Sequence, residues 1–262
     1  VLQTLLRNPL ADPYVLGVSG GASVAALLAL TLWGATLPLW GVQLAAGLGA
    51  AITMLVLFAL ARASFLSREL GAGGESDVQV LLTGVMLAAI FGAMMSVLLA
   101  LAGDGALRGM VFWLLGDLSG AVDLRLGVAG CVLLLLCMGL ASRLAPAMNV
   151  MMHGQAQALT QGVDVARTRA VLVALAALAT GYAVSVAGAI GFVGFVAPHW
   201  VRLWVGHDQR RVLPAAALAG GSLVVLADTL GRSVLAPVQL PVGVVTALVG
   251  APVFLCLMRA RR

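Results

Sequence analysis

From Pro13 to Ala61 the chain runs for 49 residues without a charged side chain. A helix rises 1.5 Å per residue and needs about 20 residues to cross roughly 30 Å of bilayer hydrocarbon. The stretch therefore predicts two crossings, with Gly34 to Pro38 as the turn between them. Uncharged runs follow at Val78 to Gly103, Ala170 to Val201 and Ser233 to Met258. Charged residues make up 10% of the chain, against about 25% in a typical soluble domain. The alternative membrane architecture, a closed β-barrel, needs segments of about ten residues that alternate apolar and polar, and no such alternation occurs here. The sequence predicts an all-α, polytopic transmembrane helical bundle in a single domain, residues 1–262.

The uncharged runs predict a terminal fragment ending near Leu6 and eight crossings near 15–32, 39–61, 78–102, 124–145, 166–188, 190–205, 212–230 and 242–258. Val1 to Leu6 carries no charged leader or small-residue cleavage site, so no cleavable signal is expected. Alternate loops then fall on opposite sides. Arg7, Arg62, Arg68, Arg143, Arg167, Arg169, Arg202, Arg210, Arg211, Arg259, Arg261 and Arg262 share one side, while Arg108, Arg125 and Arg232 share the other. Twelve against three assigns the first side to the cytoplasm. Trp33, Trp40 and Trp113 fall near outer ends and Trp200 and Trp204 near an inner end, as an aromatic belt requires.

Small residues recur at helical spacing, as in Gly17 and Gly21, in Gly84, Ala88 and Gly92, and in Gly181, Ser185 and Gly188. In lipid, close backbone approach replaces the hydrophobic drive between helices, so a tightly packed bundle is expected. Cys131, Cys137 and Cys256 lie in apolar spans and read as packing residues. The net charge of +5 comes from arginines scattered between spans, which is no nucleic-acid patch.

Active transport needs an energy source, and the chain carries none of the usual ones. A P-loop requires a lysine on the terminal phosphates, and the sequence contains no lysine. Ion-coupled carriers place carboxylates at membrane depth. Here Asp12, Glu69, Glu75, Asp77, Asp164 and Asp208 read as inner-loop residues, and Asp104, Asp117 and Asp123 as outer ones. Only Asp228 falls on a span, with Arg232 four residues on as a partner. His153, His199 and His207 all fall at inner loops, with no nucleophile or carboxylate placed beside them as a catalytic triad needs. The chain reads as no enzyme. An ion- or proton-coupled secondary transporter stands as the alternative, and a non-transporting scaffold as a third reading.

Four strings carry a resemblance: NPLADPYVLGVSGGA from Asn8, AGAIGFVGFVAPH from Ala187, LPAAALAGGSLVVLADTLGR from Leu213, and LPVGVVTALVGAPVF from Leu240. In this order they resemble the permease family of binding-protein-dependent ABC importers for cobalamin, iron-siderophores and haem, of the type II importer class, over essentially the whole chain. The resemblance implies a family fold of ten helices, of which the first and most of the second are absent here. It implies a second copy of the chain, two cytoplasmic ATPase subunits that hold ATP and magnesium, a periplasmic or extracellular substrate-binding protein, and residence in a bacterial inner membrane. No cofactor or metal is expected on this chain. The cargo expected is an iron-siderophore or haem, with cobalamin close behind.

The same resemblance assigns candidate sites. The inner loop at about 149–165 is the coupling element that meets the ATPase, carried by His153, Gly154, Gln155, Ala156, Gln157, Ala158, Leu159 and Gly162. Ala156 and Ala158 are expected on the partner-facing side, and a plain solvated loop is the bland alternative. Gln155 and Gln161 depart from the glutamate and leucine common in the family. Arg232 matches a family arginine that pairs with a glutamate of the docked binding protein, against the alternative that it pairs with Asp228 alone. Arg108 and Arg125 flank MVFWLLGDLSGA, which resembles the family's short outer helix, and are further docking candidates. Ser76 and Asp77 fall where the family narrows the inner mouth, although a connecting turn is an equal reading. The proline-rich NPLADP segment reads as structural, with Asn8 and Asp12 able to cap freed backbone groups.

Overall fold

The computed structural model describes residues 1–5, 12–14, 16–34, 38–60, 73–118 and 123–260. Among them the chain is all-helical. In order come α1 (Leu2–Leu5), α2 (Val18–Trp33), α3 (Leu39–Leu60), α4 (Gly73–Leu101), α5 (Asp104–Leu114), α6 (Leu124–Arg143), α7 (Ala145–Met152), α8 (Gln155–Thr160), α9 (Val165–Ala187), α10 (Val193–Val205), α11 (Gln209–Ser233) and α12 (Val242–Ala260). Three starts carry the side-chain cap that frees the first turn from unpaired donors. Asp123 accepts from the Arg125 amide at α6, Asp164 from Arg167 at α9, and Asp208 from Arg210 at α11.

Seven of the eight predicted crossings correspond to helices of 16 residues or more, α2, α3, α4, α6, α9, α11 and α12, and the eighth to the shorter α10. Among the described residues, five segments are long and apolar enough to cross a membrane: Trp40–Leu57, Leu82–Leu101, Leu124–Arg143, Val165–Ala187 and Gln209–Ser233. Val18–Trp33 and Val242–Val253 are shorter apolar helices. The crossing expected at 190–205 is corrected: α10 starts at Val193 and has 13 residues, about 20 Å at 1.5 Å each. The cause lies in the backbone. Gly188 ends α9 at φ 71 and Phe192 opens α10 at φ 67, left-handed angles that interrupt a right-handed helix.

The centre is built by backbone approach. Helices α2 and α3 share the most extensive interface, and α9 packs against both. A Cβ on Gly49 would collide with the Gly21 carbonyl oxygen, and one on Gly181 would sit 3.2 Å from the Ala50 Cβ. The small residues thus let the helices touch where larger ones would hold them apart. Leu44, Leu48 and Leu55 of α3 are exposed and line an apolar cavity with Leu126 and Leu133 of α6 and Ala177 and Tyr182 of α9. Six hydroxyls are satisfied within their own helices. Ser23, Thr31, Thr53, Ser96, Thr229 and Ser233 each donate to a carbonyl four residues back, the arrangement that lets a polar side chain sit in an apolar solvent.

Three further expectations change. Arg169, counted among inner-loop charges, lies in α9 and is 3% exposed. Ser76 and Asp77 fall in the first turns of α4 and not in a loop, and their side chains lie outside the described residues. Asp12 accepts the Tyr14 amide at 2.8 Å, as expected of a capping residue, but its carboxylate also packs on α10, since a Cβ on Gly194 would lie 2.8 Å from Asp12 Oδ2. Asn8 lies outside the described residues.

Candidate functional site

The ends of α6, α9 and α11 meet around α7 and α8. Helix α6 stops at Leu144, Pro146 opens α7, and α7 ends at His153. Gly154 at φ 129 then turns the chain into α8, and Gly162 at φ 77 turns it out again. Both conformations suit glycine alone at low cost. The exit from α8 is a Schellman cap: Val163 N donates to Ala158 O and Gly162 N to Leu159 O, both at 3.0 Å, which satisfies carbonyls that a helix end leaves open.

This cap fixes which face of α8 looks outward. Ala158 is 0% exposed and belongs to the core cluster with Met148, Met151 and Val165, against which Leu159 and Val163 also pack. The expectation that Ala158 would share a partner-facing surface with Ala156 is therefore corrected. The exposed side chains are Ala156, Gln157, Thr160 and Gln161, and Thr160 Oγ1 donates to the Gln157 carbonyl at 2.9 Å. His153 is exposed, with Nδ1 3.0 Å from the Asn149 carbonyl oxygen. The side chain of Gln155 lies outside the described residues.

Residues that the sequence reading did not single out join this element to the next inner turn. Asn149 on α7 donates through Nδ2 to Asp208 Oδ1 at 2.7 Å and accepts the Gln209 amide on Oδ1 at 2.9 Å. The reverse orientation of the amide would set its oxygen against a carboxylate oxygen, so the network itself assigns the atoms. Gln209 is 1% exposed, and its Nε2 lies 3.4 Å from both Met152 Sδ and the His207 carbonyl oxygen. The Asn149 side chain and the Arg210 amide hold the Asp208 carboxyl below its ordinary range, and the charges of Arg210 and Arg211 add to this. These contacts place the 143–167 and 202–211 turns on one side, as the arginine count requires.

At the opposite ends the connectors bond through their backbones. Asp117 N donates to Ala187 O, Val242 N to Gly116 O, Gly243 N to Leu115 O, and Leu240 N to Gly231 O, at 2.9 to 3.1 Å. Side chains are excluded from this junction. A Cβ on Gly188 would strike the Trp113 carbonyl, and one on Gly243 the Leu115 carbonyl. Arg232 Nε donates to Asp228 Oδ2 at 2.8 Å, with side chains 42% and 24% exposed respectively. Arg108 on α5 and Arg125 in the first turn of α6 are exposed. The three arginines thus sit on three different helices.

A bundle of apolar helices with a short helix on the arginine-rich side and a hydrogen-bonded junction on the other is the architecture of a multi-pass membrane protein. The family model described as the FecCD transport family matches residues 1–260, and the chain belongs to that family. It is 43% identical over 263 residues to the cobalamin import system permease protein BtuC of Halobacterium salinarum, covering 100% of this chain and 67% of that protein. It is 41% identical to the uncharacterized ABC transporter permease protein YvrB of Bacillus subtilis, over 99% of this chain and 72% of the relative. It is 38% identical to the vitamin B12 import system permease protein BtuC of Yersinia pseudotuberculosis, over 98% and 74%. A solved structure described as a metal-chelate type ABC transporter in an inward-facing conformation superposes with a TM-score of 0.86 at 27% identity, covering 99% of this chain and 79% of that one.

Proposed function

We propose that this chain is the translocation subunit of an ATP-driven importer for a corrinoid of the cobalamin type, working in a cytoplasmic membrane. The names of the relatives from Halobacterium and Yersinia favour cobalamin, which reverses the order expected from sequence, where iron-siderophore and haem came first. In this reading two copies of the chain enclose the pathway. Two cytoplasmic ATPase subunits bind ATP and magnesium, and a soluble binding protein delivers cargo to the outer face.

The observation that carries the reading is α8. One side is anchored through Ala158, and the other presents Ala156, Gln157 and Thr160 to the arginine-rich side. A short helix fixed to the bundle and bare on its outer face suits a groove in a partner, whose closure it would convert into helix motion. On the other side, Arg232, Arg108 and Arg125 would meet acidic groups of the binding protein, which supplies register and encounter rate more than affinity. Ser76 and Asp77, in the first turns of α4, remain our candidates for the inner gate.

The test is to purify the chain with its ATPase and measure hydrolysis with and without the cobalamin-loaded binding protein. Stimulation by the loaded protein supports the proposal. Hydrolysis indifferent to that protein would contradict it.

A further inference from the structure

Helix α11 runs continuously for 25 residues with Pro214 in its second turn, and spans about 37 Å at 1.5 Å per residue. Its outer end carries Asp228 and Arg232. Its inner end is capped by Asp208, and that cap is the group Asn149 holds from α7. Asn149 occupies both of its polar ends in this one contact, donating to the cap carboxylate and accepting the amide of the helix's first residue. Behind it, Gln209 is almost wholly buried against Met152, the last residue of α7. Helix α7 leads through His153 and Gly154 into α8, which is anchored to the same core cluster by Ala158. A displacement of α8 therefore has a short route to α11, through the backbone into α7 and across the Asn149 hydrogen bonds. Such routes carry motion because packed elements shift as bodies and do not deform smoothly.

We propose that Asn149 is a positioning residue that makes the α7–α8 segment and helix α11 move as one body, so that displacement of α8 reaches the outer end of α11. The proposal rests on the reading of α8 as the ATPase contact. It gives Asn149 a role that composition and spacing do not signal, since its partners lie 59 and 60 residues away.

Two readouts test it separately. In the purified chain, N149D sets two carboxylates against each other, and amide hydrogen exchange should rise about tenfold in both Val150–Met152 and Gln209–Val212. In vesicles holding the full complex, uptake of radiolabelled cyanocobalamin per ATP hydrolysed should fall about tenfold. The swap N149D/D208N restores one donor facing one acceptor and should return both readouts to within twofold of wild type, which a bulk loss of folding would not do. N149A should move both readouts in the same direction and serves if N149D is not recovered.

Exchange in Gln209–Val212 that stays at the wild-type level in both single variants would overturn the link. Raised exchange with unchanged uptake per ATP would overturn its role in transport. A wild-type complex whose hydrolysis ignores the binding protein would instead defeat the functional reading, and the exchange experiment would still decide whether the two segments move together.

Discussion

Arg232 donates from Nε to Asp228 one helical turn earlier, at 2.8 Å, with its guanidinium close to half exposed. An exposed pair of this kind contributes about 0–1 kcal/mol, so Arg232 can exchange Asp228 for an incoming carboxylate at little cost. Arg232→Glu should therefore weaken capture of the binding protein by about tenfold, mainly through a slower association rate. A charge reversal on the partner should restore it, and Asp228→Asn should change capture less than threefold. Surface plasmon resonance on nanodisc-held complex measures all three. Unchanged capture by the Arg232→Glu variant would remove that residue from the docking surface.

The two alanines of α8 should part company. Ala156 is exposed, so Ala156→Trp should assemble normally in the membrane while lowering binding-protein-stimulated hydrolysis about fivefold. Ala158 is wholly buried, so Ala158→Trp should overpack the cluster around Met148 and Met151, costing about 1–3 kcal/mol and lowering the melting temperature in detergent. Equal melting temperatures for the two variants would contradict the assignment of faces.

The crossing of α2 and α3 should tolerate no side chain at its centre. Gly49→Ala collides with the Gly21 carbonyl and the Ala25 side chain, whereas Gly92→Ala on α4 meets nothing within 4 Å. The first should destabilise by about 1–3 kcal/mol. The second should be neutral or stabilise by up to about 1 kcal/mol, through the better helix propensity of alanine. Thermal melting followed by tryptophan fluorescence separates them.

Acid should loosen the inner junction. The folded-state pKa of Asp208 lies below its ordinary 3.8, chiefly through the hydrogen bond from Asn149. A depressed carboxylate contributes stability that is present above the unfolded value and lost as pH falls through the folded one. Protease nicking at the turn around His207 should stay constant from pH 7 down to about pH 4 and rise below it, measured with an acid-active protease. Asp208→Asn should remove that rise.

Much of this architecture was legible because lipid imposes a simple rule. Stretches such as Pro13 to Ala61 have nowhere to go but through the membrane, and the arginine count assigned sides that the Asn149–Asp208 contact respects. A short helix between α7 and α9 was foreshadowed by small residues at helical spacing in the longest inner loop, and Gly154 and Gly162, at positive φ, set its ends; its coupling role came from the family resemblance alone. The start of α10 was not, because Gly188 and Phe192 change the path of the chain by dihedral angle and leave the apolar composition unaltered. Nor was the inward face of α8: six residues make under two turns, too few for periodicity to tell Ala156 from Ala158. Asn149, Asp208 and Gln209 escaped for a different reason. Each is an ordinary polar residue at or near a helix end until the fold brings the two turns together.

Uptake by vesicles from which one component at a time is left out tests the importer most directly. With the chain, its ATPase, ATP and the loaded binding protein present, labelled cyanocobalamin should accumulate inside, and removal of any one of these should reduce accumulation to the level of empty vesicles. Accumulation by the chain alone, driven by an ion gradient and abolished by a protonophore, would contradict it.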